Sequence, residues 1–236
     1  MPPSSVRGAV RNVRETEVRF ANARGGSELR GIAHEPVQGP PSGGLVVAHG
    51  RSNDMRNPLV RRIAGAGAEE GWWSLRFNFR SVDAKTSASR DLSHEEDDLL
   101  GAVRFARKTV TEGPIVVAGK SMGARVCARA SGDPDVAGVI ALGYPLHPRF
   151  KPEVRNPPEW PRLVKPALFV QGDHDPYCDL DRLKKDIERL PAPHELAVIR
   201  NAGHSFEPIG AKRDTFPEVW EAVRGWISQR LVPGMR

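Results

Sequence analysis

Short, uninterrupted apolar runs recur along the chain: GLVVAHG at 44–50, PIVVAG at 114–119, VAGVIALGYP at 136–145 and ALFVQGD at 167–173. Runs of this length without polar alternation suit strands buried on both faces. Between them lie segments of helical periodicity at 58–71, 122–132, 179–190 and 217–231. A further helix is expected through 94–110, with Ser93 as its cap and Glu96 at the capping-box position. Strands at 72–80 and 194–201 complete the alternation, and two alternating strands at 13–22 and 29–36 open it. Residues 81–93 and the proline-rich 146–166 read as loops. Strands alternating with helices predict an α/β fold, a mostly parallel central sheet with helices on both faces. Ligands of such sheets gather at the carboxyl ends of the strands.

Length fits one domain over residues 13–236, preceded by a loose N-terminal extension at 1–12. The net charge of +6 raises the question of nucleic acid. The basic residues are scattered, with pairs such as Arg61-Arg62 and Lys184-Lys185 as the densest groups, so solvated surface charge is the expectation and nucleic acid is not. Two cysteines, Cys127 and Cys178, are too few for a disulfide framework and match no zinc spacing. The N-terminus lacks an apolar signal core, and no run reaches about 18 apolar residues, so the expected location is the cytoplasm and no membrane is expected as a partner.

The segment VVAGKSMGARV at 116–126 places a serine between glycines where a strand pattern becomes a helix pattern. Gly119-Lys120-Ser121-Met122-Gly123 is G-x-S-x-G, and in this context Ser121 is expected on a strained turn, exposed as a nucleophile. The helix behind it aims N–H groups at a developing oxyanion.

A serine hydroxyl needs a base. Of the histidines downstream, His204 in NAGHSF follows the last expected strand and falls at the carboxyl edge of the sheet. His194 opens that strand, at the opposite end, and His147 lies in the proline-rich loop, where it is expected to line a pocket. The acid is expected in QGDHDPYC. Asp175 is favoured, because Pro176 holds it extended and it lies further out on the loop; Asp173 is the competitor and is more suited to bonding the turn backbone. The string Asp173, His174, Asp175 and Cys178 has no second ligand group beside it, so no metal is expected, and no cofactor is implied. Met122 is expected to supply one oxyanion-hole N–H and Arg51 the other, with Ser52 as second choice. His49 is expected to brace its loop. Lys120, beside the nucleophile, is expected to pair with one of Glu95, Glu96, Asp97 or Asp98.

These pieces resemble the α/β-hydrolase superfamily, in its dienelactone-hydrolase-like branch. More narrowly, the chain is similar to the hydrolase-like domains grouped with testis-expressed protein 30 and with subunit 3 of the NSL histone-acetyltransferase complex. The matching stretches are VVAHG, LRFNF, VVAGKSMGARV, GYPLHP, LFVQGDHDP and NAGHSF, in the family order. The resemblance implies an α/β-hydrolase fold with nucleophile Ser121, acid Asp175 and base His204. Dienelactone hydrolases proper carry a cysteine where this chain has Ser121, so their substrate does not transfer. Lids in this fold commonly enter after the strand that follows the nucleophile helix. Here that gap is dense in proline and short, so a stiff flap anchored by Phe150 and Trp160 is expected in place of a folded lid, with Ser52, His147, Phe150 and Trp160 contacting substrate.

The expectation is therefore a serine hydrolase of the esterase type, cleaving a small carboxylic or thio ester through an acyl-enzyme. The competing expectation is a catalytically weak member of the fold that serves as an interaction scaffold.

Overall fold

The computed structural model describes residues 13–36, 38–154 and 162–231. The expected extension at 1–12 and the flap residue Trp160 lie outside them. Among the described residues eight strands form one sheet: β1 (Arg14–Ala21), β2 (Glu28–Glu35), β3 (Gly44–Ala48), β4 (Trp73–Phe77), β5 (Ile115–Lys120), β6 (Val136–Leu142), β7 (Ala167–Gly172) and β8 (His194–Ile199). Their order across the sheet is β1-β2-β4-β3-β5-β6-β7-β8. β1 and β2 pair antiparallel, β2 meets β4 antiparallel, and from β4 to β8 every pairing is parallel. This is the α/β-hydrolase arrangement that the alternation and the motif order led us to expect.

The apolar runs are explained by the two layers that cover the sheet. On one face α3 (Ser93–Thr109), α4 (Met122–Ala130) and α5 (Leu180–Ile187) pack over Val46, Leu75, Val117 and Phe169. On the other, α1 (Pro58–Glu69) and α6 (Phe216–Arg230) cover Leu45, Val47, Val116 and Leu168. Neighbours such as Leu45 and Val46 thus enter opposite cores, so neither can be polar. Full burial of one such side chain contributes about 1.5–3 kcal/mol.

The start of α3 departs from the expectation. Leu92 occupies the cap position at φ 60°, in the left-handed region, and contributes no side-chain cap. Ser93 is already helical and donates from its hydroxyl to Asp91 at 2.8 Å. Glu96 does not close a capping box, because two guanidinium groups compete for it: it accepts from Arg129 at 3.0 Å and from Arg162. A charge-assisted pair with arginine outweighs a reach back to a single backbone N–H. The expected loop 81–93 also contains helical structure, α2 (Arg80–Asp83), tied down by Arg80 to Asp97 and Asp98 on α3.

Between β6 and β7, where a lid would enter, the described residues form turns and no folded lid. Among the described residues no helix is long and apolar enough to cross a membrane.

Candidate active site

The turn from β5 into α4 sets the geometry. Ser121 sits at φ 55°, ψ −114°, a backbone conformation that a residue with a side chain adopts only under strain. The turn is tight enough to exclude larger neighbours. A Cβ on Gly119 would lie 2.2 Å from the Gly123 carbonyl, and one on Gly123 would lie 2.7 Å from the carbonyl oxygen of His49. The two glycines flanking Ser121 are thus required by close approach, and the Ser121 hydroxyl is pushed clear of the sheet edge.

His204 reaches this hydroxyl from the loop after β8. Its Nε2 is 2.9 Å from Ser121 Oγ, and its Nδ1 is 2.7 Å from Asp175 Oδ2. Asp175 stands on the loop after β7, and its carboxylate accepts two more hydrogen bonds, from Gln171 Nε2 at 2.5 Å and from the Tyr177 N–H at 2.8 Å. With Asp175 accepting, Nδ1 of His204 carries the proton and Nε2 is free to accept from the serine. The ring of Tyr177 packs on the His204 imidazole at 4.4 Å between centroids. An arrangement of this kind can withdraw a proton from Ser121 as its oxygen attacks an electrophile, and return it to a leaving group.

Asp173 faces elsewhere. Its Oδ1 accepts from the Ala202 N–H at 3.3 Å and pairs with His174 Nδ1 at 2.8 Å, as an aspartate bracing a turn does. Cys178 is buried, and burial pushes its thiol up. Within the faint metal-like string, Asp173 and His174 pair with each other, Asp175 faces His204, and Cys178 Sγ lies 3.8 Å from the Asp179 carbonyl.

Met122 opens α4, so its N–H is one of the helix's first donors without an intrahelical acceptor. Arg51 and Ser52, the latter at φ 56°, form a turn across from it. Arg51, Ser52 and Met122 all line a cleft of about 510 Å³ together with Ser121 and His204. A second cavity of about 340 Å³ adjoins it, walled on its far side by Ser81, Thr86 and Ser87. His49 braces the loop below: Nδ1 donates to the Gly50 carbonyl at 2.8 Å and Nε2 accepts from the Phe79 N–H at 3.2 Å. Burial lowers the pKa of its imidazole.

His147 also lines the cleft, with both ring nitrogens engaged: Nδ1 with the Pro148 carbonyl at 2.8 Å and Nε2 with the Asp179 N–H at 2.9 Å. Phe150 does not meet the expectation of a cleft contact. Its N–H is held by the Pro176 carbonyl at 2.8 Å, and its ring, 71% exposed, turns to solvent beside the Arg149 guanidinium.

Lys120 does not pair with α3. Each acid there already has donors: Glu95 from Ser89, Glu96 from Arg129 and Arg162, Asp97 from Asn22 and Arg80, and Asp98 from Arg80. Lys120 lines the cleft instead. Gln171 and Tyr177 were not foreseen from sequence. A glutamine in the otherwise apolar strand ALFVQG is the signal that points to Gln171; nothing comparable marks Tyr177.

Solved structures of the same fold extend this comparison. An alpha-beta serine hydrolase homologue from Coxiella burnetii superposes with a TM-score of 0.73 at 23% identity, covering 89% of this chain and 96% of that one. A dienelactone hydrolase from Anabaena variabilis gives 0.75 at 21% identity, covering 93% and 99%. A serine hydrolase without a lid from Xanthomonas campestris gives 0.72 at 22% identity, covering 94% and 97%. At these identities the likeness establishes the fold, and the sequence itself matches the alpha/beta hydrolase domain over residues 41–230. The chain belongs to the alpha/beta hydrolase family.

Proposed function

We propose that the protein is a serine hydrolase of the esterase type, acting on small carboxylic or thio esters. The observation that supports this most is the hydrogen-bonded line from Ser121 Oγ through His204 to Asp175, at 2.9 and 2.7 Å, with Ser121 on a strained elbow.

In this reading Ser121 Oγ attacks the ester carbonyl carbon while its proton passes to His204 Nε2. The carbonyl oxygen takes up the negative charge, held by the N–H of Met122 and that of Arg51. Collapse expels the alcohol, which receives the proton from His204. Water then attacks the acyl-enzyme by the same route, and the acid leaves. Asp175 keeps His204 in the required tautomer and stabilises the imidazolium. Gln171 and the Tyr177 N–H hold Asp175 in turn. Ser52 and His147 contact the substrate as part of the cleft wall.

The stretches GKSMG and GYPLHP support a narrower kinship with the hydrolase-like domains of testis-expressed protein 30 and NSL complex subunit 3. The two free, buried thiols of Cys127 and Cys178 are in keeping with a reducing, cytoplasmic location.

The test is covalent labelling with a fluorophosphonate. Ser121 is expected to be modified in the native protein and not after heating. Labelling that persists in Ser121→Ala, or no labelling of the native protein, would overturn the reading.

A further inference from the structure

The walls of the cleft carry three cationic residues, Lys120, Arg51 and Arg125, and, among the described residues, no carboxylate. Lys120 is the unusual one. It is only 6% exposed, and its ammonium makes no ion pair and no hydrogen bond among the described residues. The carboxylates whose charge it feels are Asp175 and Glu207. Both have other donors: Asp175 has His204, Gln171 and the Tyr177 N–H, and Glu207 accepts from the Ser205 N–H at 2.7 Å. Burial accordingly lowers the pKa of the ammonium.

The Lys120 ammonium keeps contact with the water of the cleft, and a ligand that displaces this water without supplying a counter-charge leaves it less favourably solvated. An apolar or neutral ligand that fills the cleft does that. A ligand that brings an anionic oxygen relieves it, with a charge-assisted hydrogen bond as well. Lys120 and Ser121 line the same cleft, so an anion held by this ammonium shares the cleft with the carbonyl under attack. Arg51 stands at the cleft with its side chain exposed and adds attraction at a distance.

Resting on the hydrolase reading, we infer that the substrate is an anionic ester, one carrying a carboxylate a few atoms from the scissile carbonyl, and that Lys120 is the residue that holds this carboxylate. A half-ester of a short dicarboxylic acid has this chemistry, and so does an ester of a hydroxy acid.

Two substrate pairs test it. Monomethyl glutarate against methyl valerate places the charge on the acyl side, and 4-acetoxybenzoate against its methyl ester places it on the alcohol side. At low ionic strength the anionic member of at least one pair is expected to have a kcat/KM at least about tenfold higher, chiefly through KM, with the advantage shrinking as salt is added. Lys120→Met is expected to bring that ratio near one, and Lys120→Arg to preserve most of it. Arg51→Gln is expected to lower it about twofold to threefold. Turnover of the neutral esters with no anionic preference in either pair, or a preference that survives Lys120→Met, overturns this inference and leaves the hydrolase reading standing. Absence of both turnover and fluorophosphonate labelling overturns the hydrolase reading and this inference with it.

Discussion

Gln171 bridges two loops of the site: its Nε2 donates to Asp175 at 2.5 Å, while its Oε1 accepts the Tyr144 N–H at 2.9 Å. The side chain is completely buried on β7. It therefore links the loop after β6 to the carboxylate that faces His204.

Replacing it with an apolar residue of similar length removes both bonds. Gln171→Met leaves the Tyr144 N–H and one lone pair of Asp175 unpaired, at a cost of about 1–3 kcal/mol each. The expected outcome is a folded protein of lower Tm whose kcat falls about tenfold with little change in KM, because the loss acts through the orientation of Asp175 and His204. Circular dichroism melts and steady-state kinetics on a neutral ester check it. A variant with lower Tm and unchanged kcat would restrict Gln171 to a structural role.

The two aspartates of QGDHDP are separable by the same logic. Asp175→Asn presents an amide to His204 Nδ1 and favours the wrong tautomer, a loss of about 10⁴ in kcat for such a relay. Asp173→Asn retains an acceptor for the Ala202 N–H, so its effect is expected to stay below about threefold. Kinetics of the two variants side by side decide it, and the opposite ranking would assign the acid to Asp173.

Away from the site, a buried polar network predicts the acid limit of stability. His34 Nε2 accepts from Arg76 Nε at 2.8 Å, and Arg76 also pairs with Glu15 at 2.9 Å. Burial, with Arg76 and Arg61 adding to it against the pull of Glu15, lowers the His34 pKa to about 4 from its usual 6.5. The folded state therefore holds this ring neutral, while the unfolded chain binds a proton below about pH 6.5. The contribution is fully present above that pH and is lost as the pH falls towards 4. His49, also lowered by burial, acts in the same direction. Urea midpoints measured between pH 7 and pH 4 are expected to fall, and to fall less steeply in His34→Gln, whose amide oxygen can still accept from Arg76. An unchanged slope in that variant would remove His34 from the acid response.

The reach of the sequence follows from what kind of force sets each feature. β3, β5, β6 and β7 were legible because burial on both faces leaves almost only apolar residues there, with Lys120 and Gln171 as exceptions at the ends of β5 and β7 that face the site. Ser121 was legible because Gly119 and Gly123 are forced by close approach, and His204 because it follows the last strand. Side-chain partnerships were harder to read. Lys120 was expected to pair with an acid of α3, yet Ser89 holds Glu95, and Arg80, Arg129 and Arg162 hold the other three from distant parts of the chain. Ser93 has the composition of a cap, but Asp91 takes its hydroxyl. Phe150 has the composition of an anchor, and only the tertiary course of its loop turns it outward.

Substrate size follows from what walls the cleft. Its lining mixes the polar Arg51, Ser52, Asn53, Lys120 and Arg125 with the apolar surfaces of Met122, Pro145, Pro148 and Tyr177. No folded lid closes over it among the described residues, and Phe150 faces solvent. A long acyl chain gains about 0.8 kcal/mol per methylene only where an apolar surface covers it, and beyond the first few carbons this cleft offers little. Across a p-nitrophenyl ester series, kcat/KM is expected to peak at about two to six acyl carbons, since each further methylene remains in water and adds no binding. No jump in rate is expected at the micelle threshold of the longer esters, because among the described residues no folded lid covers the cleft for an interface to open. A peak at about twelve carbons or more would require an enclosed apolar tunnel that gains its 0.8 kcal/mol per methylene along its whole length, and would contradict this description of the cleft.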